Sequence, residues 1–559
     1  MSGNQMVPFV ASTPILTDTR ISFVPEWHQQ LLSGQRKAIG WGISGDIHYC
    51  LLQAPYLLAG LIDGMRGPLV GKEFAGLPVF APEVLDEYEP DEIVIIIFSD
   101  YRMFGAEICA QIATFGEFCV QTPYVAARDD QLSQPNSVWP QQLANLMWQL
   151  RSQSLSHQPQ QRISLWIHAL VKGGAERQMV LLALGLSQLG WQVQLICSNT
   201  TNSENNIWVA QLQQAGVELV FLPPQRDIWP QLTQSGELRE LAIMLAPYFE
   251  SGLLHNIITS YTALKAFRPK ILACYLDDGN VCASMAALLY GIEHILVAGR
   301  NVAPSLIPPG ITGYDINRLA EYYHQFIALP GCVLFNNSSA GAESYVQWLG
   351  VDPNAIPIVR NAVMAPLQPQ SATNIRRCLG LPSSAKVLLG AMRFSPEKTP
   401  EAFVHVASEV IHQCPDVYAV LLGKGGLESA LRQQIAELDM SDRILLPGVQ
   451  DDIFNWLQQS DLLLSTSSFE GMSNIILEAQ SVGCLVVATD IPGNRETLLP
   501  ILVEEGCLIP YGQWQQMSER ILSLLQQPPV GLSLRLQEEM RRHYSPQRLA
   551  EQTLALRSI

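Results

Sequence analysis

The run Asp461-Leu-Leu-Leu-Ser465-Thr-Ser-Ser-Phe-Glu470-Gly-Met-Ser473-Asn474-Ile-Ile-Leu-Glu478-Ala sets two carboxylates around one strand-to-helix junction. An apolar strand ends at Ser465, Gly471 supplies a turn, Ser473 or Asn474 can cap, and Ile475, Ile476, Leu477 and Ala479 open a helix. The first free N–H groups of that helix would point beyond the strand end, ready for a phosphate. Glu470 precedes the cap, while Glu478 lies about four residues inside the helix, roughly 6 Å along at about 1.5 Å per residue. The two carboxylates can therefore serve different parts of one ligand. Lone glutamates are ordinarily solvated, so it is the strand–Glu–Gly–cap–helix–Glu setting that points to binding.

A second segment offers the opposite charge. Arg393-Phe-Ser-Pro-Glu-Lys398 follows an apolar strand and holds two cations in a loop whose Pro396 disfavours an early helix. Such a pair can clamp a diphosphate and neutralise the charge that develops as it departs, although either cation alone would more often be a surface residue. Upstream, His168-Ala-Leu-Val-Lys-Gly173-Gly174-Ala-Glu176-Arg177 joins a strand to a long helix. Paired glycines there let a substrate approach the backbone, and the helix terminus favours an anion; a tight structural turn would use the same residues. Asp277-Asp278-Gly279-Asn280 and Gly299-Arg300-Asn301 also follow apolar strands. At the carboxyl ends of parallel strands they would face the crevice where open α/β sheets bind ligands. Asp277 and Asp278 lack a third ligand in the sequence, so no metal is expected.

These loops require doubly wound sheets behind them, and the apolar runs supply three sets of candidate strands. The first comprises Lys37 to Gly40, Tyr56 to Ile62, Ile93 to Phe98 and Glu117 to Gln121. Ile163 to Ile167, Gln192 to Cys197, Glu218 to Leu222, Ile271 to Tyr275 and His294 to Ala298 make the second. The third has Lys386 to Gly390, Tyr418 to Leu422, Arg443 to Leu446, Leu462 to Ser465 and Leu485 to Ala488. In the first set, Gly40-Trp-Gly42-Ile-Ser-Gly45 follows a strand, and Asp63 ends the next one. That spacing suits either a nucleotide or a plain strand-to-helix turn, and Pro55 interrupts the helix a nucleotide site would want. A Gln-, Ser- and Pro-rich stretch from Asp129 to Gln161, with an amphipathic piece near Leu143 to Leu150, reads as a connector.

Composition agrees with several buried cores. The chain has 559 residues, 48% of them hydrophobic and 15% charged, which excludes global disorder. A net charge of −17 disfavours a nucleic-acid partner. No apolar run reaches the roughly 20 residues of a membrane span, and Met1-Ser-Gly-Asn-Gln-Met lacks the basic start of a secretory signal. The 11 cysteines form no CxxC pair, so a reducing cytoplasm is expected.

Taken together, Glu470 and Glu478, Arg393 and Lys398, the Gly173-Gly174-Ala-Glu-Arg loop and Gly483-Cys-Leu-Val-Val-Ala-Thr-Asp490-Ile-Pro-Gly493-Asn-Arg-Glu496 resemble the retaining glycosyltransferases of family 4, over about residues 161 to 530. The resemblance implies an α/β GT-B fold, two facing Rossmann-like domains, here with an additional N-terminal Rossmann-like domain. The expected organisation is an N-terminal domain at 1–130, a linker at 131–161, an acceptor-side domain at 162–365, a nucleotide-sugar donor domain at 366–530, and C-terminal helices packing back at 531–559.

By the same resemblance, Arg393 and Lys398 bind the diphosphate and Glu478 the ribose, while Glu470 grips donor-sugar hydroxyls near the reacting carbon. Gly471, Met472, Ser473, Asn474 and Ile475 complete the sugar and phosphate contacts, and Gly448 and Val449 meet the base. Gly173, Gly174, Asp277, Asp278, Arg300 and Asn301 form the acceptor side. Met392 stands where the family more often has glycine, which changes the shape of the loop before Arg393. The chemistry implied transfers a sugar with retention from a UDP-sugar, which is substrate rather than cofactor, without a metal. The acceptor would be a growing or lipid-linked surface glycan, and the partner a polysaccharide synthesis and export complex. Tyr275-Leu-Asp-Asp-Gly-Asn280 and Gly299-Arg-Asn-Val-Ala-Pro304 are similar to bacterial capsular enzymes of the Vi type, implying a polymer of α-linked N-acetylgalactosaminuronic acid.

A GT-B epimerase and a non-catalytic scaffold subunit are the rival readings. Between Arg535 and Ile559 five arginines face three glutamates, with Leu534, Leu536, Leu549, Leu554 and Leu556 in or beside the stretch. This segment either packs across the two domains or meets the inner face of the plasma membrane.

Overall fold

The computed structural model describes residues 35–42, 47, 58–98, 101–121, 139–152, 161–171, 173–198, 208–224, 227–228, 232, 236–246, 248–249, 251–306, 316–365 and 374–558. The chain forms two compact units, residues 1–139 with 223–258, and residues 140–222 with 259–559. Residues 223–258, which the sequence reading placed in the acceptor-side domain, thus group with the N-terminal unit.

In the first unit, β1 (Lys37–Trp41), β2 (Leu58–Ile62), β3 (Glu73–Phe74), β4 (Leu77–Phe80), β5 (Ile93–Ile97) and β6 (Cys119–Gln121) form one sheet in the order β3-β4-β2-β1-β5-β6. Only the β3–β4 pair is antiparallel. All five residues of β5 are branched and buried, as expected for a strand covered on both faces. Gly42 takes φ +94 at the end of β1, but Gly45 and Pro55 lie outside the described residues. Asp63 is committed locally, because its carboxylate accepts from the N–H groups of Met65 (3.1 Å) and Gly67 (2.9 Å). The acid that the spacing offered to a ribose instead closes the turn after β2.

The second unit holds two parallel sheets. β7 (Arg162–Ile167), β8 (Gln192–Cys197), β9 (Glu218–Phe221), β10 (Ile271–Tyr275), β11 (His294–Ala298) and β12 (Cys332–Phe335) are ordered β12-β11-β10-β7-β8-β9. β13 (Lys386–Ala391), β14 (Val417–Leu422), β15 (Ile444–Gly448), β16 (Leu462–Ser465), β17 (Leu485–Asp490) and β18 (Leu508–Pro510) are ordered β15-β14-β13-β16-β17-β18. Both follow the Rossmann order 3-2-1-4-5-6, which creates a switch point between the first and fourth strands of each sheet, β7/β10 and β13/β16. The short strands β12 and β18 escaped the sequence reading; three or four residues carry too little pattern to separate a strand from a loop.

The connector contains a helix, Trp139–Ser152, longer than the piece expected. Leu143 and Met147 are fully buried, and Arg151 donates to the carbonyls of Ile292 (2.5 Å) and Glu293, so this helix is part of the fold. At the other end, helix Leu532–His543 puts Leu532, Leu536 and Met540 into the core of the β13–β18 sheet. Helix Pro546–Ala555 puts Leu549, Ala550 and Leu554 into the core of the β7–β12 sheet. The terminal segment therefore ties the two sheets together. Leu536, Leu549, Leu554 and Leu556 are spent on these cores, leaving Leu534 as the exposed leucine of the five considered for a membrane. Leu549→Ala should destabilise the second unit by about 2–5 kcal/mol, whereas Leu534→Ala should stay within about 0.5 kcal/mol, as read by chemical denaturation. Among the described residues no helix is long and apolar enough to cross a membrane.

Candidate active site

The switch points gather the candidate loops. In the β13–β18 sheet, β13 leads into Arg393 to Lys398 and its neighbour β16 leads into Ser467 to Glu470. In the other sheet, β7 leads into the Gly173-Gly174 loop and β10 into Asp277. Parallel strands side by side thus deliver loops that are distant in sequence to one edge.

Pro396 opens a single 3-10 turn, Pro396–Lys398, where the sequence suggested an open loop. Its fixed φ suits a first helical position. The turn separates the two cations. Lys398 points inward, with Nζ 2.6 Å from Glu470 Oε1, and Ser467 Oγ donates to the same oxygen at 2.9 Å. Arg393 points outward with a side chain 73% exposed, and its Nη2 lies 2.9 Å from Glu397 Oε1. Burial pushes the Glu397 carboxyl upward, but donors from Ser395, its own backbone and Arg393 outweigh this and hold it below the usual range. A joint clamp by Arg393 and Lys398 is therefore not formed here; each cation is held by a different acid.

Helix Asn474–Ser481 starts at Ser473, whose side chain makes no capping bond. Asn474 instead reaches across, its Oδ1 accepting from Asn361 Nδ2 (2.9 Å) and Gln178 Nε2 (3.0 Å). Glu478 is buried and forms an ion pair with Arg177. The geometry follows from helical periodicity. Gly174, Arg177 and Gln178 share one face of helix Gly174–Gln188, and Asn474 and Glu478 share one face of theirs. Gly174 permits the approach, since a Cβ there would lie 2.7 Å from Asn474 Nδ2. Met472 is buried, its carbonyl accepting from Asn361 Nδ2 at 3.2 Å, and Ile475 is half-buried.

Gly493 backs the Glu470–Gly471 turn so closely that a Cβ would overlap both carbonyl oxygens. Gly493→Ala should cost about 1–3 kcal/mol and shift this turn, with a denaturation curve reporting the stability loss. On the same short helix as Gly493, Pro492–Thr497, Glu496 accepts from the N–H groups of Ser339 (2.8 Å) and Ala340 (3.1 Å), capping helix Ser339–Leu349 of the other sheet.

The remaining candidates are dispersed. Gly448 ends edge strand β15 with φ +80 and accepts from Gly423 N at 3.1 Å, leaving Val449 51% exposed two strands from the switch point. The Met392 N–H bonds Leu422 O at 3.0 Å, so methionine is accommodated as a continuation of the sheet. Asp277 Oδ1 accepts from the hydroxyls of Tyr323 (2.6 Å) and Tyr345 (2.8 Å), which commits it to its own domain. The side chain of Asp278 lies outside the described residues. Asn301 is exposed and its Oδ1 accepts from the Val302 N–H. Arg300 is buried and donates from Nη2 to Asn361 Oδ1 at 2.6 Å.

Arg177, Gln178, Asn337 and Asn361 were not picked out by the sequence as site residues. Arg177 and Gln178 stand at i+3 and i+4 from Gly174, a signal that was available; Asn361 lies outside any periodic element and offered none. Among the described residues no group of three or more His, Cys, Asp or Glu is placed to hold a metal. A cavity of about 570 Å³ opens at the amino ends of β7 and β8, lined by Arg162, Trp191 and Gln192, and contains none of the candidate residues.

Residues 385–527 match the family described as Glycosyl transferases group 1. The Vi polysaccharide biosynthesis protein VipC/TviE of Salmonella typhi is 24% identical over 388 residues, covering 65% of this chain and 66% of that protein. The UDP-Gal:alpha-D-GlcNAc-diphosphoundecaprenol alpha-1,3-galactosyltransferase of Escherichia coli is 33% identical over 249 residues, covering 43% and 63%. The chain thus spans just under two thirds of the length of each of these relatives. Among solved structures, Anabaena Alr3699/HepE in complex with UDP and glucose has a TM-score of 0.54 at 19% identity, covering 71% of this chain and 100% of that one. A glycosyltransferase from Rickettsia africae has a TM-score of 0.55 at 19% identity, covering 72% and 98%. The chain has the GT-B fold, with residues 385–527 similar to the glycosyl transferases of group 1 and an additional N-terminal α/β sheet.

Proposed function

We propose that the protein is a retaining glycosyltransferase that moves a sugar from a UDP-sugar to a growing or lipid-linked bacterial surface polysaccharide, with α-linked N-acetylgalactosaminuronic acid as the polymer in view. The observation that carries this reading is the Lys398–Glu470 bridge at the β13/β16 switch point, beside a helix whose Asn474 and Glu478 meet the Gly174–Gln178 face. The names of the Salmonella and Escherichia relatives, a Vi polysaccharide protein and a UDP-Gal transferase to a diphosphoundecaprenol glycan, support the donor and acceptor classes.

In this reading the bond between C1 of the sugar and the diphosphate oxygen breaks while C1 bonds to the acceptor hydroxyl on the same face. The hydroxyl proton passes to the departing diphosphate. Lys398, with Arg393 swung inward, meets the negative charge on that diphosphate, the place a divalent metal or other cofactor would otherwise take. Glu470 holds the sugar hydroxyls, Glu478 the ribose, and Gly448 and Val449 the base; the Gly173-Gly174 loop and Arg300 line the acceptor side. The protein chiefly positions the two substrates. Such an enzyme would work at the inner face of the plasma membrane, within a polysaccharide synthesis and export complex.

The test incubates purified protein with UDP-sugars, including UDP-uronic acids, and a glycan acceptor, following UDP release, glycan growth and the anomeric configuration by NMR. UDP release in step with α-linked growth is the expected result. Conversion of the UDP-sugar without acceptor would make the protein an epimerase, and absence of donor binding would leave a scaffold.

A further inference from the structure

Arg300 is placed as a ligand-binding residue is placed, and its partners are incomplete. It follows β11 at the carboxyl edge of the sheet and takes φ +70, a left-handed conformation that a non-glycine residue adopts at a cost. The side chain is buried with its guanidinium over the ring of Tyr275, 4.3 Å from the centroid. Nη2 is satisfied by Asn361, but Nε and Nη1 have no acceptor, and no carboxylate among the described residues pairs with it. Burial lowers its basicity, with only Tyr275 acting in the other direction. A buried, unpaired cation with idle donors is expensive to keep unless something anionic fills it.

The surroundings share this state. The Tyr275 hydroxyl is also a buried donor without a partner, while Asn337 Nδ2 donates to Asn361 Oδ1 at 3.3 Å. Asn337 Oδ1 lies 3.2 Å, and the Arg300 carbonyl 3.5 Å, from where a Cβ on Gly471 would stand, so the cluster abuts the turn after Glu470. Asn361 connects Arg300 to Asn474. The cation therefore sits on the sheet opposite Lys398 and next to the proposed point of transfer.

We propose that Arg300, with the Tyr275 hydroxyl, forms a subsite for an oxyanion carried by the acceptor glycan, a carboxylate or a phosphate. The assignment of that oxyanion to an acceptor rests on the transferase reading above; the subsite itself rests on the unpaired guanidinium. An acid-bearing sugar would thereby be chosen over a neutral one.

Calorimetric titration of the full chain with methyl α-glucuronoside, glucose 6-phosphate and neutral methyl α-glucoside, each with and without saturating UDP, tests this. At least one anionic probe should bind roughly tenfold or more tightly than the neutral one, with UDP present or absent, and the better one identifies the oxyanion. Arg300→Gln should abolish that preference and Arg300→Lys should keep part of it. Equal binding of all three probes to the wild type overturns the proposal without recourse to any variant, as does an undiminished preference in Arg300→Gln. Displacement of the anionic probe by UDP would give the cation to the donor diphosphate and also overturn it. Failure of UDP itself to bind would sink the transferase reading while leaving the anion subsite to stand or fall on its own titrations.

Discussion

Lys398→Ala is expected to reduce sugar transfer by about 10²–10³-fold, the loss typical when one preorganised donor to a developing oxyanion is removed. Lys398 is the inward-facing cation of its loop, and its ammonium is held at 2.6 Å by Glu470. In the proposed transfer a diphosphate entering this edge would share it with Glu470, so that the same lysine would link leaving group and sugar. Arg393→Ala should cost less, because that side chain is 73% exposed and must first leave Glu397. Initial rates of UDP release for Lys398→Ala, Glu470→Gln and the double variant form a cycle, and strong non-additivity is expected from a contacting pair. Retention of more than about a tenth of wild-type turnover by Lys398→Ala would contradict the role given to it.

A large stability effect should come from the other ion pair. Arg177→Met leaves Glu478 as a buried carboxylate without its cation, for which losses of about 3–5 kcal/mol are usual; the Arg177 side chain is 31% exposed, which favours the lower end. Glu478→Gln should cost less, since an arginine that reaches water can be solvated and also lies 6.0 Å from the Trp208 ring. Replacing both by methionine should recover most of the loss, because a well-packed apolar pair often equals a buried ionic one. Urea denaturation of the four proteins checks the order, and equal stability of Arg177→Met and wild type would show that the pair contributes nothing.

Much of this architecture was visible in the sequence because the physics behind it is local. A parallel strand covered on both faces must be largely apolar, so β5 and β10 appear as unbroken runs. The strand–turn–helix around Glu470 and Glu478 was legible for the same reason: a glycine turn, a cap and a helical repeat act over a few residues. The two-residue β3 and the three-residue β18 carry too few side chains to show a period.

What the tertiary structure alone decided is which groups meet. Gln178 touches Asn474 across 296 positions, Glu496 caps a helix 157 positions away, and Arg177 finds Glu478 only because two Rossmann sheets bring their helix ends together. Local spacing gave Arg393 and Lys398 equal claims on a diphosphate, yet one 3-10 turn sends them in opposite directions. Sequence periodicity determines the face on which a residue lies; the partner on the facing element is set by long-range packing, whose free energy is shared over two whole cores. Residue types and their spacing thus determined the sheets, the loops at their carboxyl edges and the charges on them. Which charge is paired, which is exposed, and that Arg300 is buried with donors to spare, were settled only when the sheets closed on each other.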